Sequence, residues 1–257
     1  MFVSRALVPR IKTRHLFPRQ RICNSKAPTV FTMAQKRLPQ HMDESAGEKK
    51  KRAAEILSIL SGLYPAAECH INYRSPYELL IASILSAQCT DKRVNRITPA
   101  LFAKYPSPRD FAQANPEELE RDIFSTGFYR AKASSIIGCS RDIEEKHGGE
   151  VPATMEELTS LRGVGRKTAN VVLGNAFGVP GIIVDTHIRR LANRLMLSSS
   201  KSPEQIERDL MELIPQRRWT YFSNALGDHG RTVCKARKPN CGECKINRLC
   251  PSAELDN

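Results

Sequence analysis

The chain has 257 residues, 40% of them hydrophobic, and Lys plus Arg exceed Asp plus Glu by 13. That leaves room for one large domain or two small ones with a real core, and the basic excess points to a polyanionic partner, nucleic acid first. No apolar run approaches the ~18 residues of a membrane span, so no membrane partner is expected. Eight cysteines without a secretory signal argue against a disulfide framework.

The surplus charge is uneven. Nine basic residues, from Arg5 to Arg37, precede the first acid, Asp43, which leaves four of the thirteen excess charges for everything after it. Residues 1–47 show no sustained apolar period and contain Pro9, Pro18, Pro28 and Pro39, so they are expected to form a disordered basic extension. Such a segment can be an arm for DNA phosphates or an Arg-rich, acid-free organellar transit peptide. It can also be an upstream extension, since Met33 and Met42 offer later starts. We favour the last, with the protein in the cytoplasm at the nucleoid and organellar targeting as the alternative.

From Glu48 onward the pattern is helical almost throughout. Ala53, Ile56, Leu57, Leu60 and Leu63 recur at three- and four-residue steps, the mark of one amphipathic helix. Ser75, Pro76 and Glu78 supply an N-cap, a first-position proline and an N3 acid, and the run Leu79–Leu85 is apolar on several sides, so the helix there should be deeply buried. Val94, Ile97, Ala100 and Leu101 mark the next helix, and Asn115 with Pro116 starts another. The helix in "YRAKASSIIGCSRDIEEKHGG" should stop at Gly148–Gly149. Thr154 with Glu157 caps a short helix, and after the glycine turn come "KTANVVLGNAF", "DTHIRRLANRLML" and "SPEQIERDLMELI". "GIIVD" is the one strand candidate and is too isolated to found a sheet. The expected class is all-α.

The stretch Leu161–Val172, "LRGVGRKTANVV", resembles a nucleotide-phosphate loop at first sight. Aligning Lys167–Thr168 with the end of G-x-x-x-x-G-K-[ST] puts Arg166 where the second glycine must be, and the first is missing as well, so that reading fails. The alternative is a helix-hairpin-helix: Leu158 and Leu161 close one helix, Gly163 and Gly165 make the turn, and Lys167 starts the next. Its amides and helix N-terminus suit a DNA backbone phosphate without reading sequence; an ordinary tight helix turn is the plainer possibility. Lys167, otherwise a solvated surface amine, sits where a helix terminus, Arg166 and partial burial would all favour the neutral, nucleophilic form.

Cys234, Cys241, Cys244 and Cys250 fall within 17 residues as C-x6-C-x2-C-x5-C, a spacing for a metal or cluster rather than disulfides. Zinc and a four-iron cluster both accept four thiolates, and spacing alone does not choose between them. The loop carries Lys235, Arg237, Lys238, Lys245 and Arg248 against one acid, Glu243, a basic surface for phosphate. Cys23, Cys69, Cys89 and Cys139 do not cluster and are read as buried or incidental.

Together "LRGVGRKTANVV", "VDTHI" 18 residues on, and the cysteine tail closely resemble the endonuclease III family, with "LSAQCTD" and "STGFYRAKA" adding to the match over about residues 48–252. The resemblance implies a helix-hairpin-helix DNA glycosylase fold with a [4Fe-4S] cluster on Cys234, Cys241, Cys244 and Cys250. It implies two helical subdomains with a DNA cleft between them. One is a six-helix barrel, residues 69–179, with the hairpin at about 154–177. The other joins 48–68 to 180–257 and includes the cluster loop 234–250. The implied activity is that of a monomer that removes damaged bases, oxidised pyrimidines foremost, from duplex DNA and cleaves the abasic site through a lysine Schiff base. Lys167 becomes the nucleophile and Asp185 the second catalytic residue, whose plainer role is N-cap of "THIRRLANR". Gly163, Val164, Gly165 and Arg166 would contact DNA, and Gln88 and Phe128 would fill the gap left by the flipped nucleotide. His187 is read as structural. Two positions depart from the family: Phe128 stands where leucine is common, and Arg162 where proline precedes the glycine. An adenine-mismatch glycosylase of the same superfamily lacks the hairpin lysine and carries a long C-terminal domain, whereas here Lys167 is present and seven residues follow Cys250. A non-catalytic DNA-binding module with a zinc staple is the remaining alternative.

Overall fold

The computed structural model describes residues 44–253, and every regular element there is helical. The α-helices are α1 (Ala46–Leu63), α2 (Pro76–Leu85), α3 (Asp91–Lys104), α4 (Pro108–Ala112), α5 (Pro116–Ile123), α6 (Tyr129–His147), α7 (Met155–Ser160), α8 (Arg166–Ala176), α9 (Thr186–Arg194), α10 (Pro203–Leu213) and α11 (Trp219–Thr232). Among the described residues none is long and apolar enough to cross a membrane. One boundary is corrected. The chain is ordered before residue 48, because Ser45 and Glu48 form a capping box, with Ser45 N–H donating to Glu48 Oε2 at 2.8 Å, and α1 begins at Ala46. Residues 1–43 of the expected extension, Cys23 included, lie outside the described residues.

Cap chemistry places most helix starts. Ser75 Oγ accepts the Glu78 N–H at 3.1 Å, Asn115 Oδ1 that of Glu118 at 3.1 Å, and Thr154 Oγ1 that of Glu157 at 3.2 Å. Gly148 and Gly149, both at positive φ, end α6. The short α4, capped by Ser107, has too little length for an apolar period and was not foreseen.

Two hydrophobic clusters form. The first centres on α2, whose Leu79, Leu80, Ile81 and Leu85 are fully buried, and it gathers α3 to α8 through residues such as Phe111, Leu119, Ile136 and Val172. The second packs α1 against α9, α10 and α11 through Ile56, Leu60, Leu191, Ile206, Leu210 and Phe222, with Ile246 of the cysteine loop added. Each such aliphatic side chain contributes about 1.5–3 kcal/mol when fully buried. "GIIVD" forms no strand but connects the two clusters: Ile182 and Val184 enter the second, Ile183 the first. Alternate residues of an extended chain point to opposite sides, so this linker is apolar on both faces.

Candidate active site

The hairpin is built by α7, a turn and α8. Leu158, Leu161 and Val164 are buried in the first core and hold the turn down. Gly163 has φ +78°, and a Cβ there would lie 2.5 Å from Ser135 Cβ, so both backbone conformation and space require glycine. The Val164 side chain is buried and its N–H donates to Leu161 O at 3.1 Å, which shapes the turn. Helix α8 opens at Gly165 with no side-chain cap, and its first helical bond runs from Ala169 N–H to Gly165 O at 3.0 Å. The amides of Arg166, Lys167 and Thr168 precede that bond, so they concentrate the positive end of the helix on the surface.

Two contacts fix the hairpin from behind. Arg166 Nε and Nη2 donate to Glu207 at 2.6 and 2.9 Å, from a half-exposed guanidinium to a carboxylate that is 4% exposed. Asn170 Nδ2, one turn on, donates to Glu207 Oε1 and to Ile182 O, both at 3.0 Å, which ties α8 to α10 and to the linker. The Arg166 guanidinium is therefore engaged with protein. Arg162 donates its N–H to Asp142 Oδ2 at 3.0 Å, a bond that proline lacks, and its stem lies where a Cβ on Gly138 would sit. This departure ties the turn to α6.

Lys167, Asp185 and Gln88 line one open cleft of about 740 Å³, walled by residues of both cores. Asp185 Oδ1 accepts the Ile188 N–H at 2.8 Å, so the carboxylate is also the N-cap of α9. Burial pulls His187 below the usual imidazole range, and its Nδ1 lies 3.2 Å from Arg190 Nη2. Across the cleft, Arg231 Nη2 pairs with Asp91 at 3.2 Å, and His70 pairs with Asp228. Cys139 is buried as expected, but Cys69 and Cys89 are only partly covered and line the cleft.

Phe128 lies apart from the cleft lining and is 65% exposed. It shares one feature with Gln88. Only four non-glycine residues among those described have positive φ, and Gln88 (+52°) and Phe128 (+49°) are two of them. Side-chain-bearing residues hold this conformation only where surrounding contacts impose it.

Cys234, Cys241, Cys244 and Cys250 ring one cavity of about 30 Å³. Arg194 Nη1 lies 3.2 Å from Cys234 Sγ, His229 Nε2 lies 3.3 Å from Cys244 Sγ, and Arg190 Nη2 donates to Cys234 O at 2.9 Å. The buried Nε of Arg190 has no protein partner. Cationic donors packed around four thiols suit a group of net negative charge.

Residues 81–216 match the family described as HhH-GPD superfamily base excision DNA repair protein, and residues 234–250 match the iron-sulfur binding domain of endonuclease III. Over 207 residues the chain is 56% identical to endonuclease III of Synechocystis sp., a span that covers 80% of this chain and 94% of that one. This chain belongs to the endonuclease III family. Among solved structures it is similar to a non-covalent endonuclease III–DNA complex and to a trapped endonuclease III–DNA covalent intermediate. In each case it has 43% identity and a TM-score of 0.77, over 79% of this chain and 96% of the other. The chain carries a [4Fe-4S] cluster, in the cysteine loop that matches this iron-sulfur binding domain.

Glu207 and Asn170 were not anticipated as parts of this endonuclease III site. Glu207 did leave a signal: it follows Ile206 and shares a buried face with Leu210 and Leu213, and an acid on such a face requires a buried partner.

Proposed function

We propose that this chain excises damaged bases, oxidised pyrimidines foremost, from duplex DNA and then cleaves the abasic site by β-elimination. The observation that carries the reading is the convergence of Lys167 and Asp185, from different helices, on one cleft beside the uncapped start of α8. The hairpin from Gly163 to Lys167 takes a backbone phosphate on its free amides and seats the strand without reading its sequence. Gln88 and Phe128, already held in their unusual backbone conformation, fill the space left as the target nucleotide leaves the stack.

Once Lys167 has lost its proton, Nζ attacks C1′, and the glycosidic bond breaks with its electron pair going to the base, which is protonated as it leaves. The nitrogen lone pair then opens the sugar ring by breaking the C1′–O4′ bond, O4′ takes a proton, and the resulting iminium acidifies C2′. Loss of a C2′ proton then expels the 3′ phosphate by cleavage of the C3′–O bond, and water releases the sugar fragment from the lysine. Asp185, fixed by its bond to Ile188, stabilises positive charge on the sugar and assists the proton transfers. Cys234, Cys241, Cys244 and Cys250 hold the cluster, which braces the basic loop as a phosphate-facing surface. We read the molecule as two subdomains, 69–179 around the first core and 48–68 with 180–257 around the second, with Ile183 of the linker reaching into the first. The enzyme acts as a monomer on nucleoid DNA in the cytoplasm.

The test is strand cleavage of an abasic duplex. Lys167→Ala should lower the rate by orders of magnitude while the visible iron-sulfur absorbance stays intact. Normal cleavage by that variant contradicts the reading.

A further inference from the structure

Four large apolar side chains among the described residues stand well exposed: Leu63, Phe124, Phe128 and Val179. Two of them share one five-residue loop, with Phe124 63% and Phe128 65% exposed. The loop is anchored. Thr126 is buried and its Oγ1 donates to Ile123 O at 2.8 Å, while the buried Lys132 donates from Nζ to Thr126 O at 2.9 Å. The Phe124 ring lies 4.9 Å from that of Tyr129, and the exposed Arg130 guanidinium sits 5.4 Å over the Tyr129 ring. Rigidly anchored rings left in water mark a binding surface.

We propose that Phe124 is a second DNA-contacting ring beside the Phe128 wedge. This rests on the function proposed above. Flipping one nucleotide also exposes the groove beside the unpaired base of the opposite strand, and the loop that delivers Phe128 carries Phe124 with it. Phe128 enters the gap, and Phe124 packs in the minor groove against the strand opposite the lesion, with the Arg130 cation at an adjacent phosphate. The occupant is duplex DNA because the patch is continuous with the wedge and flanked by a cation.

The experiment measures affinity for a duplex carrying a non-cleavable tetrahydrofuran abasic site. Because a base–aromatic contact is worth about 1–3 kcal/mol, Phe124→Ala should weaken binding about tenfold or more, and Phe124→Tyr should restore it. Leu63→Ala, at another exposed apolar position, should leave affinity unchanged. Melting temperature checks the fold of each variant, and an exposed ring should shift it little. Phe124→Ala binding within about twofold of the parent overturns the proposal, and the ring then serves something other than DNA. Borohydride trapping of the parent protein on an abasic duplex separates the two readings. If the parent forms no adduct, the proposed function fails and this inference with it; if it does and Phe124→Ala binds normally, this inference alone fails.

Discussion

Helix starts in this molecule are of two kinds. Eight of the eleven α-helices in the described residues begin with a side chain that accepts an N3 amide: Ser45, Ser75, Thr90, Ser107, Asn115, Thr154, Asp185 and Ser202. Helices α6 and α8 begin without one, at Phe128 and Gly165, and α11 follows directly on a 3-10 turn. Capped starts satisfy themselves and serve the fold, Asp185 alone among them being assigned to the site as well. The uncapped starts of α6 and α8 present bare amides beside the residues assigned to DNA, Phe128 at one and Lys167 at the other. An unsatisfied helix end is thus a ligand site only where the rest of the helix is fastened by other means, as α8 is by Arg166, Asn170 and Glu207.

That fastening gives the largest expected effect in this comparison. Glu207→Ala should destabilise the protein by about 2 kcal/mol, less than the range for a fully buried pair because Arg166 is half in water. Urea unfolding checks it, and an unchanged midpoint would mean that α8 is not held through its side.

Smaller in stability, but sharper, is exchanging the two kinds of start. Gly165 has ordinary φ and nothing within 4 Å of an added Cβ, so Gly165→Asp should fit. It should cap α8, raise stability by a few tenths of a kcal/mol, and weaken abasic-duplex binding about tenfold by occupying the amides and repelling phosphate. Ser75→Ala should do the reverse: about 1 kcal/mol less stable, with unchanged DNA affinity. Paired melting and binding measurements test both; equal DNA affinity for Gly165→Asp and the parent would erase the distinction.

The smallest effect is in pH. Burial holds folded His187 below its ordinary value, while the unfolded chain takes up its proton near ~6.5. The unfolded state therefore binds more protons as pH falls through that region, and stability should fall from pH ~7 downward until the folded value is passed. His187→Gln should flatten this part of the stability–pH curve; an identical slope would remove His187 as a contributor.

Much of the fold was legible because period and cap agree along the chain: Ser75–Pro76, Asn115–Pro116 and Thr154–Glu157 all open helices where they should. The 3-10 turns and α4 escaped because they are shorter than one apolar period, and Ser45 because it follows a stretch with no period at all. The site was legible only in pieces. Nothing in an 18-residue separation says that Lys167 and Asp185 reach one cleft; the resemblance supplied that expectation, and the linker through Ile182, Ile183 and Val184 supplies the geometry. Glu207 announced a buried partner without naming it. Phe124 gave no signal, since a phenylalanine after Ile123 at a helix end ordinarily packs inward.

The central claim concerns a single nitrogen, and the covalent adduct identifies it. The protein should be reduced with borohydride on abasic DNA, digested, and the modified peptide sequenced by mass spectrometry. The account predicts the sugar remnant on Lys167 alone, and no adduct in Lys167→Ala. A remnant on any other residue of the parent protein, or an undiminished adduct in the variant, would contradict it.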